Sequence, residues 1–319
     1  MISLGIESTA HTFGIGIVDG KKILANVKDV YHPKAGSGIH PIECKEHHEA
    51  VKEKVLAEAL TKAEMMLSDI DIVSYAAGPG LPPCLKVGYE FASQLEKENK
   101  KKLVPVNHCI AHIEIGRLLC KANDPITLYV SGGNTQVIGF AAGRYRIFGE
   151  TLDISVGNAI DVFVRETIGK YPGGPVLDEL AKSGKYVELP YVVKGMDLSF
   201  SGILTAALQL HKKGKKLEDI AFSFQETAYA MLAEVSERAM AHTGKNELLL
   251  TGGVAASQRL QEMLETMCDE RKVKFFVCPR EYAGDNGAMI AYLGTLVNKE
   301  SSIDFRQKWR TDEVEVSWL

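Results

Sequence analysis

Two histidines one helical turn apart are the strongest chemical signal in this sequence. In the segment VNHCIAHIEIGRLL, Asn107 is a good N-cap residue, so a helix that begins at His108 would carry His112 on the same face. Two imidazoles at positions i and i+4 can bind one metal ion. The residue after the first histidine is Cys109, so the glutamate that activates water in HExxH zinc proteases is missing. The alternative interpretation is that both histidines make only ordinary hydrogen bonds on a helix face.

Two further residues are candidates for completing a metal site. Asp285, in REYAGDNGAMIAYLG, follows a predicted strand and lies at the start of a helical segment, from which a carboxylate can reach a central cleft. Tyr129 offers a phenol oxygen beside the turn at Ser131. Only the tertiary fold can bring these side chains together.

Small and hydroxyl-bearing residues mark three candidate phosphate-binding turns. They lie at residues 8–9, at residues 131–135 and at residues 251–253. Glycine lets backbone N–H groups approach an anion closely, and a strand-to-helix turn such as Thr251-Gly252-Gly253 adds the amides of a helix N-terminus. One such turn is more often an ordinary tight turn, whereas three in both halves of the chain favour a ligand.

The elements around these turns repeat. The segments ISLGIESTAHTFGIGIVDGKKI and ITLYVSGGNTQVIGFAAGRYRI each alternate apolar and other residues on both sides of a polar turn, which predicts two strand-turn-strand units. A duplicated unit indicates a duplicated α/β domain, and 319 residues are enough for two domains of about 150 residues.

Composition and charge narrow the class of protein. The chain is 45% hydrophobic and 24% charged, with a net charge of −4, which is typical of a globular protein and argues against nucleic-acid binding by bulk electrostatics. The basic runs at residues 100–102, 212–216 and 271–274 are interpreted as surface. The six cysteines form no CxxC pair and are predicted to be free thiols. No signal peptide or membrane span is expected, so we predict a cytoplasmic location.

The motifs taken in order resemble one known family along the whole chain. GIESTAHTFG, GIHPIECKEHH, GPGLPPCLKVG, NHCIAHIEIG, YVSGGNTQ, YPGGPVLDELA, KGMDLSFSG, TGGVAAS and AGDNGAMIAY are similar to the motifs of the universal tRNA threonylcarbamoyladenosine synthases. The chain resembles the archaeal and eukaryotic branch, which is the catalytic subunit of the KEOPS complex.

This resemblance implies a fold and a reaction. The fold is α/β of the ASKHA type, as in actin, Hsp70 and sugar kinases, with a nucleotide cleft between two duplicated domains. We expect residues 1–119 plus 296–319 to form one domain and residues 120–295 to form the other. The reaction transfers threonylcarbamoyl from threonylcarbamoyl-adenylate to the adenosine 3′ of the anticodon in ANN-decoding tRNAs, and AMP is released.

The resemblance also implies the site residues. The metal ligands would be His108, His112, Tyr129 and Asp285. The ion would be iron(II), with zinc(II) as the alternative. His108, His112 and Asp285 would be catalytic through the metal that they hold. Threonylcarbamoyl-adenylate, or ATP or AMP in the same cleft, would be held by Tyr129, Val130, Ser131, Gly132, Gly133, Asp161, Gly174, Asp178 and Ser257. Ser257 departs from the family, which commonly has asparagine there.

Further expectations concern partners and two segments. By resemblance, the partners are a small atypical protein kinase, separate or fused C-terminally, the small KEOPS subunits and tRNA. The segment 31–48 carries His32, His40, His47 and His48, and we interpret it as a lid at the substrate entrance rather than a second metal site. Residues 313–316 alternate like a strand. GPGLPPCLKVG is interpreted as a rigid loop that introduces a helix from Val87, and Glu7 could serve either the metal site or the amides of its own turn. The chain could be a stand-alone subunit or one half of a kinase fusion.

Two other function classes remain open from the sequence. A metalloprotease is the interpretation that an HxxxH pattern alone would favour, and the missing glutamate argues against it. A nucleotide-binding switch without chemistry is the other, because an Hsp70-like fold allows it.

Overall fold

The computed structural model describes residues 1–33, 37–299 and 303–319. Residues 34–36 of the histidine-bearing segment and residues 300–302 of the predicted first domain lie outside the described residues. Over the described ranges, the fold consists of two five-stranded sheets, the helices that cover them and one short two-stranded hairpin.

The first half of the chain forms the first sheet and three helices. The strands are β1 Ile2–Glu7, β2 Thr12–Asp19, β3 Lys22–Val30, β4 Ile72–Gly78 and β5 Lys102–Asn107, and the helices are α1 Pro41–Ala63, α2 Pro82–Asn99 and α3 His108–Cys120. A short 3₁₀ turn, Leu67–Asp69, precedes β4. The strand order is β3-β2-β1-β4-β5, with β1 antiparallel to β2 and parallel to β4.

The second half repeats this arrangement. Its strands are β6 Ile126–Val130, β7 Thr135–Ala141, β8 Arg144–Glu150, β11 Glu247–Thr251 and β12 Lys274–Val277, and the small hairpin is β9 Val193–Lys194 with β10 Asp197–Leu198. The strand order β8-β7-β6-β11-β12 matches the first sheet, with β6 antiparallel to β7 and parallel to β11. The predicted duplication is confirmed by this shared topology.

The remaining helices belong to the second half of the sequence. They are α4 Val156–Ile168, α5 Gly174–Ala181, α6 Ser201–Lys212, α7 Leu217–Thr243, α8 Gln258–Arg271, α9 Arg280–Ala283 and α10 Gly287–Val297, with 3₁₀ turns at Gly253–Ala256 and Thr311–Glu313. Among the described helices, none is both long enough and apolar enough to cross a membrane.

The helices and sheets stack in layers. Helices α1 and α2 cover one face of the first sheet, α3 and α10 lie between the two sheets, and α4, α6, α7 and α8 cover the outer face of the second. Alternation along β6 follows this layering, because Leu128 and Val130 face the outer core while Tyr129 faces the central layer. Helix α3 is buried on every side from His108 to Gly116, as expected of a helix between two layers.

Helix α10 contacts the first sheet backbone to backbone. A Cβ atom added to Gly5 would lie 2.0 Å from the Ala291 nitrogen, and one added to Gly287 would lie 2.1 Å from the Gly16 nitrogen. Glycine at these positions therefore allows the close contact that holds the start of α10 against β1 and β2. We propose to group α10 with the first half, which moves the predicted boundary at residue 296 to a point before Gly287.

The C-terminal segment crosses both halves. The Tyr75 hydroxyl donates to the Ile303 carbonyl, the Asn107 amide donates to the Trp309 carbonyl at 3.1 Å, and Arg310 reaches Glu150 on β8 at 3.1 Å. The strand predicted around residues 313–316 was wrong. Val314 and Val316 do alternate in contact with the core, but over the described residues they form no strand ladder.

Two other local predictions have clear outcomes. Helix α2 begins at Pro82, so the rigid loop predicted to run up to Val87 was wrong in its second half. Proline is well suited to the first turn of a helix, where its missing N–H removes no intrahelical hydrogen bond. All six cysteines are free thiols, as predicted, and five of them are buried.

Candidate active site

Helix α3 brings both histidines to the centre of the molecule. The helix begins at His108, and the Asn107 side-chain oxygen accepts a hydrogen bond from the Ile110 amide at 3.2 Å, which confirms the predicted cap. His112 is completely buried and His108 almost so, and their rings meet edge to face with centroids 4.7 Å apart.

Asp285 joins the two histidines. Its Oδ1 atom lies 3.3 Å from His112 Nε2 and 3.6 Å from His108 Nε2. One donor atom from each of the three residues lies within 4.8 Å of the others, a spacing that can hold one metal ion. The contact between α10 and the first sheet brings Asp285 here, because the residue lies two positions before Gly287.

Glu7, at the end of β1, supports this cluster from behind. Its Oε2 accepts from His108 Nδ1 at 2.8 Å, and its Oε1 accepts from the Thr9 amide at 2.7 Å. A hydrogen bond at Nδ1 leaves the His108 Nε2 atom free to face Asp285 and a metal. The sequence left open whether Glu7 serves the metal site or its own turn, and the structure has it contacting both.

Tyr129 faces the same cluster from the second sheet. Its ring stacks on the His112 ring with centroids 4.8 Å apart. The Tyr129 hydroxyl and His112 Nδ1 are buried and have no hydrogen-bond partner among the described residues. Orphaned buried polar atoms are costly, so the phenol oxygen fits a site that is completed by a bound ion.

The buried charges shift the pKa values in opposite directions. Burial disfavours the His108 imidazolium, but the Glu7 carboxylate and then Asp285 raise the pKa of His108 to about 9. Burial lowers the pKa of His112, against its hydrogen bond with Asp285. Burial would raise the pKa of Asp285, yet the two histidines lower it below its ordinary value. Burial raises the pKa of Tyr129 well above its ordinary value.

The turn after β6 lies beside this cluster and is open. A Cβ atom added to Gly132 or Gly133 would meet nothing within 4 Å, so packing within the protein does not explain glycine there. The Ser131 hydroxyl accepts from the Asn134 amide at 3.0 Å and from the Gly133 amide at 3.3 Å. The Gly132 amide has no hydrogen-bond partner within the part of the chain that the structure describes.

The other predicted nucleotide residues lie on helices and turns of the second half and are joined by hydrogen bonds. Asp161 Oδ1 accepts from the Gly173 amide at 2.7 Å, just before Gly174 begins α5. Asp178 Oδ1 accepts from the Ser257 hydroxyl at 2.9 Å and from Gln225. Burial raises the pKa of both carboxyl groups, against these hydrogen bonds.

Three contributors to the site carried little or no signal in the sequence. Gln225, in the middle of α7, reaches Asp178, and Lys28 Nζ donates to the Asp285 carbonyl oxygen at 3.1 Å. Neither residue belongs to a recognisable motif. Gly253, like Gly132, has open space around it, with nothing within 4 Å of an added Cβ, and the Thr251-Gly252-Gly253 turn in the sequence predicted it.

The segment with four histidines makes local contacts. His47 Nε2 lies 3.0 Å from Asp29 Oδ1, and His47 Nδ1 lies 3.2 Å from His48 Nδ1. His40 precedes α1 and is exposed, as is His32. Among the described residues, His108, His112 and Asp285 are the one group in which three metal-compatible side chains come together.

Comparison with known proteins identifies relatives of this chain. Residues 22–292 match the TsaD family model, tRNA N6-adenosine threonylcarbamoyltransferase. The tRNA N6-adenosine threonylcarbamoyltransferase of Thermococcus sibiricus is 55% identical, with both chains covered completely. A probable bifunctional tRNA threonylcarbamoyladenosine biosynthesis protein of Methanothermobacter thermautotrophicus is 52% identical over 100% of this chain and 61% of its own length.

The fold agrees as well. The crystal structure of Thermococcus kodakarensis HypF superposes with a TM-score of 0.65 at 16% identity, over 95% of this chain and 48% of that one. The ASKHA-type α/β fold is thereby confirmed. By a family match over most of its length and by full-length relatives at more than half identity, the chain belongs to the TsaD family of tRNA N6-adenosine threonylcarbamoyltransferases.

Proposed function

We propose that this protein transfers a threonylcarbamoyl group from threonylcarbamoyl-adenylate to N6 of the adenosine 3′ of the anticodon in ANN-decoding tRNAs. A bond forms between N6 and the carbamoyl carbon, the bond from that carbon to the phosphate oxygen breaks, the amine loses a proton, and AMP leaves. The observation that carries the proposal is the cluster of His108, His112 and Asp285, with both histidines buried, close to a glycine turn that has open space around it.

His108, His112, Tyr129 and Asp285 would hold the metal ion. The donor set fits, because it combines imidazole and oxygen atoms and includes a buried phenol without another partner. We infer iron(II) from the family resemblance, with zinc(II) as the alternative. When bound, the ion supplies a positive charge that acts as a Lewis acid towards a carbonyl oxygen. Glu7 orients His108 through Nδ1 and so keeps Nε2 directed into the site.

The open glycines would bind the adenylate. The unpaired Gly132 amide and the turn that runs from Tyr129 through Val130 to Gly133 face the space where a phosphate would lie. Gly174, at the first position of α5, offers free helix N-terminal amides. These donors favour AMP as the leaving group, because they stabilise the negative charge that its phosphate gains.

The carboxylates on the other side of the cleft would bind the nucleoside. Asp161 has a second oxygen beyond its bond to Gly173, and an ionised carboxylate accepts hydrogen bonds from ribose hydroxyls. Ser257 bonds to Asp178 and so positions that carboxylate. With serine in place of the family's common asparagine, we expect nucleoside binding to depend more on Asp178.

The test is formation of the modified nucleoside. The purified protein, with its kinase partner and the small subunits, is incubated with threonylcarbamoyl-adenylate and unmodified ANN-decoding tRNA, which is then digested and analysed by mass spectrometry. We expect product from wild type and from His242→Ala, an exposed histidine in the last turn of α7, but none from His108→Ala/His112→Ala. Equal product from the double variant would remove the metal from the mechanism. No product from any protein would favour a nucleotide switch.

The partner and location proposals follow from the same family. A relative named as bifunctional extends well beyond the part that this chain matches, which supports the expectation of a partner module. We infer that this partner is the small atypical kinase, and that the small KEOPS subunits join it on tRNA in the cytoplasm. Because the chain carries a net charge of −4, these partners would supply much of the basic surface for tRNA.

A further inference from the structure

A surface groove lies where the two halves of the chain meet, beside the candidate active site. It has a volume of about 430 Å³. One wall comes from Pro33, which follows β3 in the first half, and the other comes from the loop between α4 and α5 in the second half. The residues that line it are Pro33, Gly169, Lys170, Tyr171, Pro172, Pro175 and Val176.

The loop between α4 and α5, which forms one wall of the groove, packs against Asp161 of the candidate nucleotide site. The Gly173 amide donates to Asp161 Oδ1 at 2.7 Å, and a Cβ atom added to Gly173 would lie only 2.9 Å from the Asp161 Cα atom. Tyr171 lies two residues earlier. Burial raises the pKa of the Tyr171 phenol, and the negative charges of Asp161 and Asp285 add to this effect.

The lining has the chemistry of a nucleobase site. One aromatic ring and three proline rings offer flat apolar surface, and Lys170 is an exposed cation with no ion pair within the described residues. RNA bases in loops are recognised by stacking on aromatic side chains, with phosphates held by lysine or arginine. A local cation is needed because the chain as a whole is acidic.

We propose that this groove binds the acceptor nucleoside of the tRNA anticodon loop, with its base stacked on Tyr171 and a neighbouring phosphate at Lys170. The inference rests on the proposed function and deepens it. The adenylate would occupy the cradle at residues 131–133 and the metal would lie at His108, so the acceptor must enter from a remaining side of the cleft. The groove opens on such a side, and Tyr171 is part of its lining.

Two measurements on the protein with its partners test this. The first is the Kd of a fluorescent unmodified anticodon stem-loop, measured by anisotropy, for wild type, Tyr171→Ala, Tyr171→Phe and Lys170→Ala. The second is kcat/KM for tRNA in the transfer reaction. The matched control is Lys213→Ala, an exposed lysine in the basic run after α6, and AMP affinity is measured for every variant.

We expect Tyr171→Ala to raise the Kd for the stem-loop and lower kcat/KM by about tenfold, the loss that removal of one stacking ring gives. Tyr171→Phe keeps the ring and should stay within about twofold of wild type. Lys170→Ala should reduce the slope of log Kd against log salt by about 0.7, the contribution of one phosphate contact in single-stranded RNA. Lys213→Ala and all AMP affinities should not change.

Other results would overturn either this inference or the proposed function. If stem-loop binding and kcat/KM stay unchanged in Tyr171→Ala and Lys170→Ala while wild type makes product, the acceptor does not use the groove and the proposed function stands. If Tyr171→Ala weakens AMP and RNA equally, Tyr171 belongs to the adenylate site instead. If wild type makes no product but the variants still lose stem-loop binding as expected, the proposed function fails and the groove remains an RNA site.

Discussion

Metal affinity should depend steeply on pH, because one ligand must lose a proton before it binds. With a pKa of about 9, about 1% of His108 is neutral at pH 7 in the metal-free protein. This proton competition costs about 2.7 kcal/mol of apparent binding free energy, at 1.36 kcal/mol for each of two pH units. His112 and Asp285 add no further proton, since their pKa values are lowered and they are already neutral and ionised respectively. Tyr129 adds none either, because burial raises the pKa of its phenol well above the ordinary value and it would bind as the neutral phenol. The apparent Kd should therefore fall about tenfold from pH 7 to pH 8.

The assay is a titration with cobalt(II), whose visible absorption reports binding to imidazole and oxygen ligands, at pH 7.0, 7.5 and 8.0 under one buffer system. Glu7 is the main group that raises the pKa of His108, so Glu7→Gln should flatten the dependence. Glu114→Gln is the matched control. Glu114 is a buried glutamate like Glu7, but it lies on α3 and accepts a hydrogen bond from Tyr145, which is on β8 in the other half. Equal cobalt affinity of wild type at pH 7 and pH 8, or a wild-type slope in Glu7→Gln, would show that His108 does not release a proton on metal binding.

Two further predictions concern ligand binding and stability. Gly133→Ala should leave the melting temperature within about 2 °C of wild type but weaken AMP binding by about tenfold, because the added methyl group meets only the space for a ligand. Gly252→Ala should instead lower the free energy of unfolding in urea by more than about 3 kcal/mol. Gly252 has a φ of +98°, and a Cβ there would lie 2.1 Å from the Val130 carbonyl oxygen. If Gly133→Ala lowers the free energy of unfolding as much as Gly252→Ala, the prediction for Gly133 is wrong. Burial, with a smaller contribution from His47, lowers the pKa of His48 to about 4. Between about pH 6.5 and pH 4 the unfolded chain therefore binds a proton at His48 that the folded protein does not bind. The resulting loss of stability should be absent above about pH 6.5 and grow to about 3 kcal/mol by pH 4. In urea unfolding, His48→Gln should lack this acid-dependent loss. If the free energy of unfolding depends on pH identically in both proteins, His48 is not its source.

Local signals in the sequence predicted the local parts of the site well. The i, i+4 histidines and their asparagine cap specify a helix start within a few residues, and the structure has α3 beginning at His108. The alternating hairpins specify antiparallel neighbours, and β1 with β2 and β6 with β7 pair accordingly. The error at α2 has a local cause, since prolines at residues 82 and 83 favour both a rigid loop and the first turn of a helix.

Long-range contacts set the rest of the site, and no local pattern reports them. Asp285 reaches His112 only because glycines on β1, β2 and α10 let that helix lie directly on the first sheet. Ser257 meets Asp178 across a gap of 79 residues. The C-terminal alternation at Val314 and Val316 read as a strand because burial alternates there, yet a strand also needs a partner with free backbone groups.

The close contact between α10 and the first sheet also divides the candidate metal ligands between two bodies. Asp285 moves with the first half through that contact, and α3 follows directly from β5 of the same sheet, so His108 and His112 belong with it. Tyr129 belongs to the second sheet. Any rotation that opens the cleft must draw the phenol away from the other three donors, so the coordination number of the bound ion would act as a gauge of domain closure.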